Sequence, residues 1–206
     1  MILQGQVGVQ ALSDSGNPAT VRMGKQGDLI VSGLHGAQYE QTMRGNRYGG
    51  SIVGQVTTVG AATTYTGLCL SNPVGSGVNL VVDKVGVAFL VAFAAAAAVG
   101  VMTGYNSTTN VTHTTPAVVR NKKLGGAAGY GLLDSAATLP TAPVLDMVLA
   151  TGLTGAITTT PSVAASLYEI DGGLVLPPGA YAAIYTSTVS GAASMSASFS
   201  WEEVPV

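Results

Sequence analysis

The chain has 206 residues, only 9% of them charged, and a formal net charge of −2. That length supports one large domain or two small ones around a real core, but ordinary soluble domains are about 25% charged. Sparse charge protects a lone monomer poorly against association, so composition points to a surface covered by neighbours in an assembly. It also argues against a nucleic-acid groove, which needs a dense basic cluster interleaved with aromatic platforms; Arg44, Arg47 and Tyr48 are too few. Gly is abundant at 28 residues, and Glu occurs only at Glu40, Glu169, Glu202 and Glu203. Long helices lean on Glu, Lys, Arg and Leu, so this composition favours strands and turns.

Residues 1–50 carry few bulky apolar side chains and two turn signals, DSGNP at 14–18 and RYGG at 47–50. Such a segment cannot build its own core and is predicted as an extended N-terminal arm with short strands, for instance over 28–32. The opening MILQGQVGVQ lacks the basic start and long apolar run of a signal peptide. Residues 51–206 are predicted as a β-sandwich domain. There TYTGLCL (64–70) runs into the turn SNPVGSG (71–77) and then into NLVVDKVGVAFLVAF (79–93).

Residues 85–104 contain no charge, and twenty uncharged residues are what a membrane helix needs. The period says otherwise. Val85, Val87, Phe89, Val91 and Phe93 alternate with Gly86, Ala88, Leu90 and Ala92, and Val99, Val101, Thr103 and Tyr105 resume the alternation. A helix would scatter the large side chains around its circumference and place three glycines inside, each costing about 1 kcal/mol relative to Ala. The flanks also lack a positive cluster, since Lys84 stands beside Asp83. Two strands meeting near the alanines are predicted, with Phe89 and Phe93 on a core face. Ala92 would lie on a mostly small face that admits close packing.

Further on, residues 143–149 read as a strand, LYEIDGGLVL (167–176) as a hairpin or loop around Asp-Gly-Gly, and LPPGAY (176–181) as a tight turn before YAAIYTS (181–187). The last stretch alternates strictly: Met195, Ala197, Phe199 and Trp201 on one face, Ser194, Ser196, Ser198, Ser200 and Glu202 on the other. This is the pattern of a half-buried strand, with Phe199 and Trp201 in the core.

Parts of a catalytic or metal site are hard to find. His35 and His113 are far apart, and Cys69 is a lone cysteine within an apolar run, so no metal spacing or intrachain disulfide exists. GSG at 75–77 lacks the Gly-Lys-Ser/Thr ending of a phosphate loop. Glu202 and Glu203 are adjacent and point to opposite faces of a strand. No Gly-x-Ser-x-Gly elbow occurs, although a Ser-His-Asp arrangement assembled by the fold stays open. The expectation is no catalytic residue, no cofactor and no metal. The sequons at Asn106 and Asn110 matter only in a secretory pathway.

Charge is divided along the chain. Up to Lys123 there are eight basic and four acidic residues, a net of +4; beyond it there are six acidic residues and no basic one, a net of −6. Chance, an arm that docks on an acidic surface, and head-to-tail contact between copies are all compatible with this division.

GLCLSNPVGSGVNLVVDKV (67–85), GGLVLPPGAYAAIY (172–185) and the terminal SFSWEEVPV (198–206) resemble virion proteins of tailed bacteriophages. Those are small β-rich proteins that coat or brace a capsid or build tail parts, and the arrangement is similar to viral jelly rolls generally. The resemblance covers about two-thirds of the chain in style and carries no diagnostic motif. It implies a jelly-roll-like antiparallel β-sandwich in a capsid decoration (cement) protein, found in the virion and assembled in the host cytoplasm. It also implies a homo-oligomer, a trimer, that contacts the major capsid protein, with no nucleic acid or membrane as partner. On that reading His35, Arg44 and Arg47 make the shell contact. The alternatives are a tail, baseplate or head-fibre component, and a receptor- or glycan-binding jelly roll using Tyr105 with Asn106, or Tyr130.

Overall fold

The structure is a computed structural model that describes residues 5–6, 21–22, 38–58, 60–89, 93, 97–152, 166–189 and 195–206. The chain divides into two compact units, Met1–Tyr39 and Glu40–Val206. In the first, β1 (Gly5–Gln6) and β2 (Val21–Arg22) form a short parallel pair. The predicted strand at 28–32 and the rest of the predicted arm up to residue 37 lie outside the described residues, as do His35 and Ala92.

The second unit opens with the end of helix α1 (Tyr39–Arg44), followed by β3 (Arg47–Gln55), β4 (Thr64–Ser71), β5 (Val78–Phe89), β6 (Ala97–Tyr105) and β7 (Thr112–Ala117). Next come β8 (Arg120–Asn121), β9 (Leu132–Thr138), β10 (Val144–Gly152), β11 (Ser166–Leu176), β12 (Ala180–Thr186) and β13 (Met195–Pro205). A six-stranded sheet has the order β10-β6-β12-β4-β9-β7, and a five-stranded sheet the order β11-β5-β13-β3-β8. Their pairings are antiparallel, and one apolar core is shared by residues of both sheets. The unit is a β-sandwich.

Its winding is jelly-roll-like. Strands pair as nested couples, β4 with β12, β5 with β11, β6 with β10 and β7 with β9, like one antiparallel ribbon folded over itself. The last couple departs from the simple pattern: β9 pairs with β4 and extends the six-stranded sheet. The terminal strand β13 lies between β5 and β3 and is the spine of the other sheet.

Within the uncharged run, residues 85–89 close β5 and residues 97–104 lie in β6. Val85, Val87 and Phe89 are buried while Gly86 and Ala88 are only half-buried, and Phe93 is buried edge-to-face against Phe89 with ring centroids 5.1 Å apart. Among the described residues no helix is long and apolar enough to cross a membrane. Met195, Ala197, Phe199 and Trp201 of β13 are buried and alternate with half-buried Ser196, Ser198, Ser200 and Glu202. Trp201 stacks on Tyr48 of β3, with centroids 6.2 Å apart and planes at 25°. Aromatic pairs of this kind contribute about 0.5–1.5 kcal/mol beyond their burial.

Two turn signals belong to strands instead. RYGG lies within β3, so the sandwich unit starts before residue 51. Its glycines are required by close packing: a Cβ on Gly50 would lie 2.4 Å from the Val118 carbonyl oxygen, and one on Gly49 would lie 2.6 Å from Lys122. Asp-Gly-Gly at 171–173 is a bulge inside β11, not a hairpin. Glu169 pairs with Lys84 and Leu174 with Val82, so residues 170–173 stand opposite Asp83 alone. Asp171 (φ 46°) and Gly172 (φ 79°) take the left-handed conformations that turn the chain out and back.

Candidate interaction surfaces

Asp83 is also skipped on its other side, where β13 pairs Ser200 with Lys84 and Trp201 with Val82. The double irregularity turns Asp83 inward, and its Oδ2 accepts from Arg47 Nη2 at 2.5 Å. Both side chains are buried. Arg47 is therefore committed to an internal ion pair and is not displayed for a shell contact. Arg44, at the end of α1, is exposed. Phe89, Phe93, Phe199 and Trp201 all belong to the shared core.

Two further buried carboxylates were not legible as a site. Glu203 of β13 accepts from the backbone N–H groups of Tyr130 (2.8 Å) and Gly131 (2.8 Å) and from the Trp201 indole (3.3 Å), which ties the loop before β9 to the terminal strand. Asp134 of β9 is fully buried and lies 2.5 Å from Nδ1 of His113 on edge strand β7. A His–Asp pair is two members of a nucleophilic triad. Cys69, across the β4–β9 register from Asp134, does not supply the third, because burial and the neighbouring Asp134 charge push its thiol well up, away from the reactive thiolate. Among the described residues no group of three or more His, Cys, Asp or Glu could hold a metal ion.

The two outer faces differ. On the six-stranded sheet Tyr65, Cys69, Met102, Tyr181 and Ala183 form a second buried cluster, joined by Leu139 and Val111. The β9–β10 connection helps cover it, with the Tyr181 hydroxyl donating to the Thr141 carbonyl at 2.5 Å; between β4 and β12 the Tyr65 hydroxyl donates to the Ile184 carbonyl at 2.6 Å. Burial raises the pKa of both phenols. On the five-stranded sheet no described residue covers the outer face. Gly86, Ala88, Ser196, Ser198 and Ser51 floor a shallow, mostly apolar depression of about 320 Å³ rimmed by Val53 and Leu167, which are 73% and 63% exposed.

The two flanks differ as well. Strands β7 and β8 end the two sheets on one side, and between them opens a deeper apolar cavity of about 440 Å³ lined by Tyr48, Pro116, Val119, Ala128, Leu132 and neighbours. Strands β10 and β11 end the sheets on the opposite side, where Val144, Val148 and Leu167 project into solvent. The expected glycan-site residues are divided: Tyr105 and Tyr130 are more than half exposed, but the Asn106 side-chain oxygen accepts from the N–H groups of Thr108 (3.0 Å) and Thr109 (2.8 Å) and is spent on its own loop. Comparison with protein-family models, with curated proteins and with solved structures finds no match.

Proposed function

We propose that this chain is a non-enzymatic structural protein of a tailed-phage virion, a capsid decoration protein that adheres to the major capsid protein as an oligomer. The observation that carries the reading is the outer face of the five-stranded sheet, which no described residue covers. Its small, uncharged floor and apolar rim at Val53 and Leu167 suit broad adhesion, whereas a small-molecule site usually places a few polar groups around a deep cleft. The jelly-roll-like winding and the low charge point the same way. Apolar burial contributes about 25 cal/mol per Å², and repetition over a lattice multiplies modest contacts into firm attachment. Arg44 stays among the contact residues, and Val53 and Leu167 join it.

The test is binding to purified capsids together with copy number in the particle. Hundreds of copies support decoration; a dozen or fewer would move the protein to the tail or neck. A glycan-binding module is the second reading, favoured by exposed Tyr105 and Tyr130. Glycan-array binding abolished by Tyr105→Ala would establish it in place of decoration.

A further inference from the structure

The charge division of the sequence has a place in the fold. Arg120 of β8 and Lys122 and Lys123 just after it are exposed on the β7/β8 flank. Lys123 Nζ donates to the Met43 carbonyl at 3.1 Å, which brings the end of α1 and exposed Arg44 to the same flank. Glu40 is the acidic residue of that helix. On the opposite flank stand exposed Asp146 of β10 and Glu169 and Asp171 of β11, with Lys84 offsetting one of them through its 2.8 Å bond to Glu169. The basic flank carries the 440 Å³ apolar cavity; the acidic flank carries projecting Val144 and Val148, 71% and 60% exposed.

From this double complementarity we infer that the partner of each flank is a second copy of the chain, with the β10/β11 flank of one subunit seated on the β7/β8 flank of the next. Val144, which shares the inner face of β10 with Thr103, enters the cavity, while Val148, paired with Gly100, lies on the opposite face at its margin; Asp146 and Asp171 face Arg120 and Lys122. Opposite charges steer and orient the encounter while the apolar fit holds it. The edges themselves resist strand-to-strand addition: β7 contains Pro116, β8 is two residues long, and β10 is interrupted by two register shifts. Side chains therefore make the contact. A contact between two different surfaces is heterologous, and it closes into a ring or continues as a filament.

This interface does not require the capsid reading. A chain that assembles through its flanks but ignores capsids would overturn that reading and leave this one standing. The test is sedimentation of the whole chain and two charge-altered variants, R120E/K122E, which reverses both charges, and D146K/D171N, which reverses one and removes the other. Wild type should self-associate, more weakly as salt rises. Each variant should associate at least tenfold more weakly while melting close to wild type. Mixed one to one, the variants should regain assembly, because the unaltered acidic flank of one fits the unaltered basic flank of the other and the two altered flanks also carry opposite charge. Combining all four changes should restore assembly. Should a reversal unfold the chain, the gentler R120Q/K122Q should lose the salt dependence of assembly. A monomeric wild type, variants that assemble like wild type, or a mixture that stays monomeric would each overturn the inference.

Discussion

The outer faces of the two sheets are built from similar alternating strands yet have opposite fates. On the six-stranded sheet the chain covers itself, and Tyr65, Cys69, Met102, Tyr181 and Ala183 are as buried as the core between the sheets. On the five-stranded sheet serines, glycine and alanine leave a face that nothing in the described residues covers. The difference comes from topology. Because β9 extends the six-stranded sheet beside β4 instead of lying in the opposite one, the connection to β10 contributes Leu139 and Thr141 to the outer cluster. An alternating strand fixes which residues share a face; the path of the connections decides which face is wet.

Substitutions on each face can break this contrast. The largest effect is expected for Tyr181→Ala, which empties a fully buried site on the covered face and should destabilise by about 3–5 kcal/mol in chemical unfolding; a loss under 1 kcal/mol would mean that face is open. Next, His113→Ala leaves the fully buried Asp134 carboxylate without its imidazole partner. Removing one member of a buried pair costs about 3–5 kcal/mol, and His113 is a third exposed, so about 2 kcal/mol is expected. Tyr65→Phe deletes one buried hydroxyl bond and should cost about 1 kcal/mol. On the open face Ser198→Ala should stay within about 0.5 kcal/mol of wild type.

The smallest effect is the pH dependence of the exposed Lys84–Glu169 pair. The bond to Lys84 holds the Glu169 carboxyl below its ordinary value. A depressed acid stabilises the folded chain above its unfolded pKa of 4.5, and that contribution disappears as pH falls through the lower folded value. Solvent screens an exposed pair. Glu169→Gln should therefore leave the melting temperature at pH 7 almost unchanged and slightly flatten its fall in acid.

Strand content, the presence of the two strands β5 and β6 and the buried face of β13 were legible because a period of two reports directly on which side of a strand meets a core; that β5 and β6 fall in different sheets was not. The burial of β12 on both faces was not, since Tyr181, Ala182, Ala183 and Ile184 are all buried in a strand flanked by β4 and β6 and show no alternation. Glycine was the least readable residue: RYGG and Asp-Gly-Gly spell turns, but one packs against Val118 and Lys122 and the other forms a bulge.

The sequence by itself determined a β-rich chain, its main strand faces, a low charge density and a division of charge between its two halves. Only the tertiary structure decided that Arg47 turns inward to Asp83 and that Asp134 meets His113. It alone placed Arg120, Lys122 and Lys123 on one flank of the sandwich and Asp146, Glu169 and Asp171 on the other. The physical reason is range. Alternation and turn chemistry act between near neighbours in the chain, whereas an ion pair such as Arg47–Asp83 joins residues 36 positions apart and exists only once strand order and register bring them together.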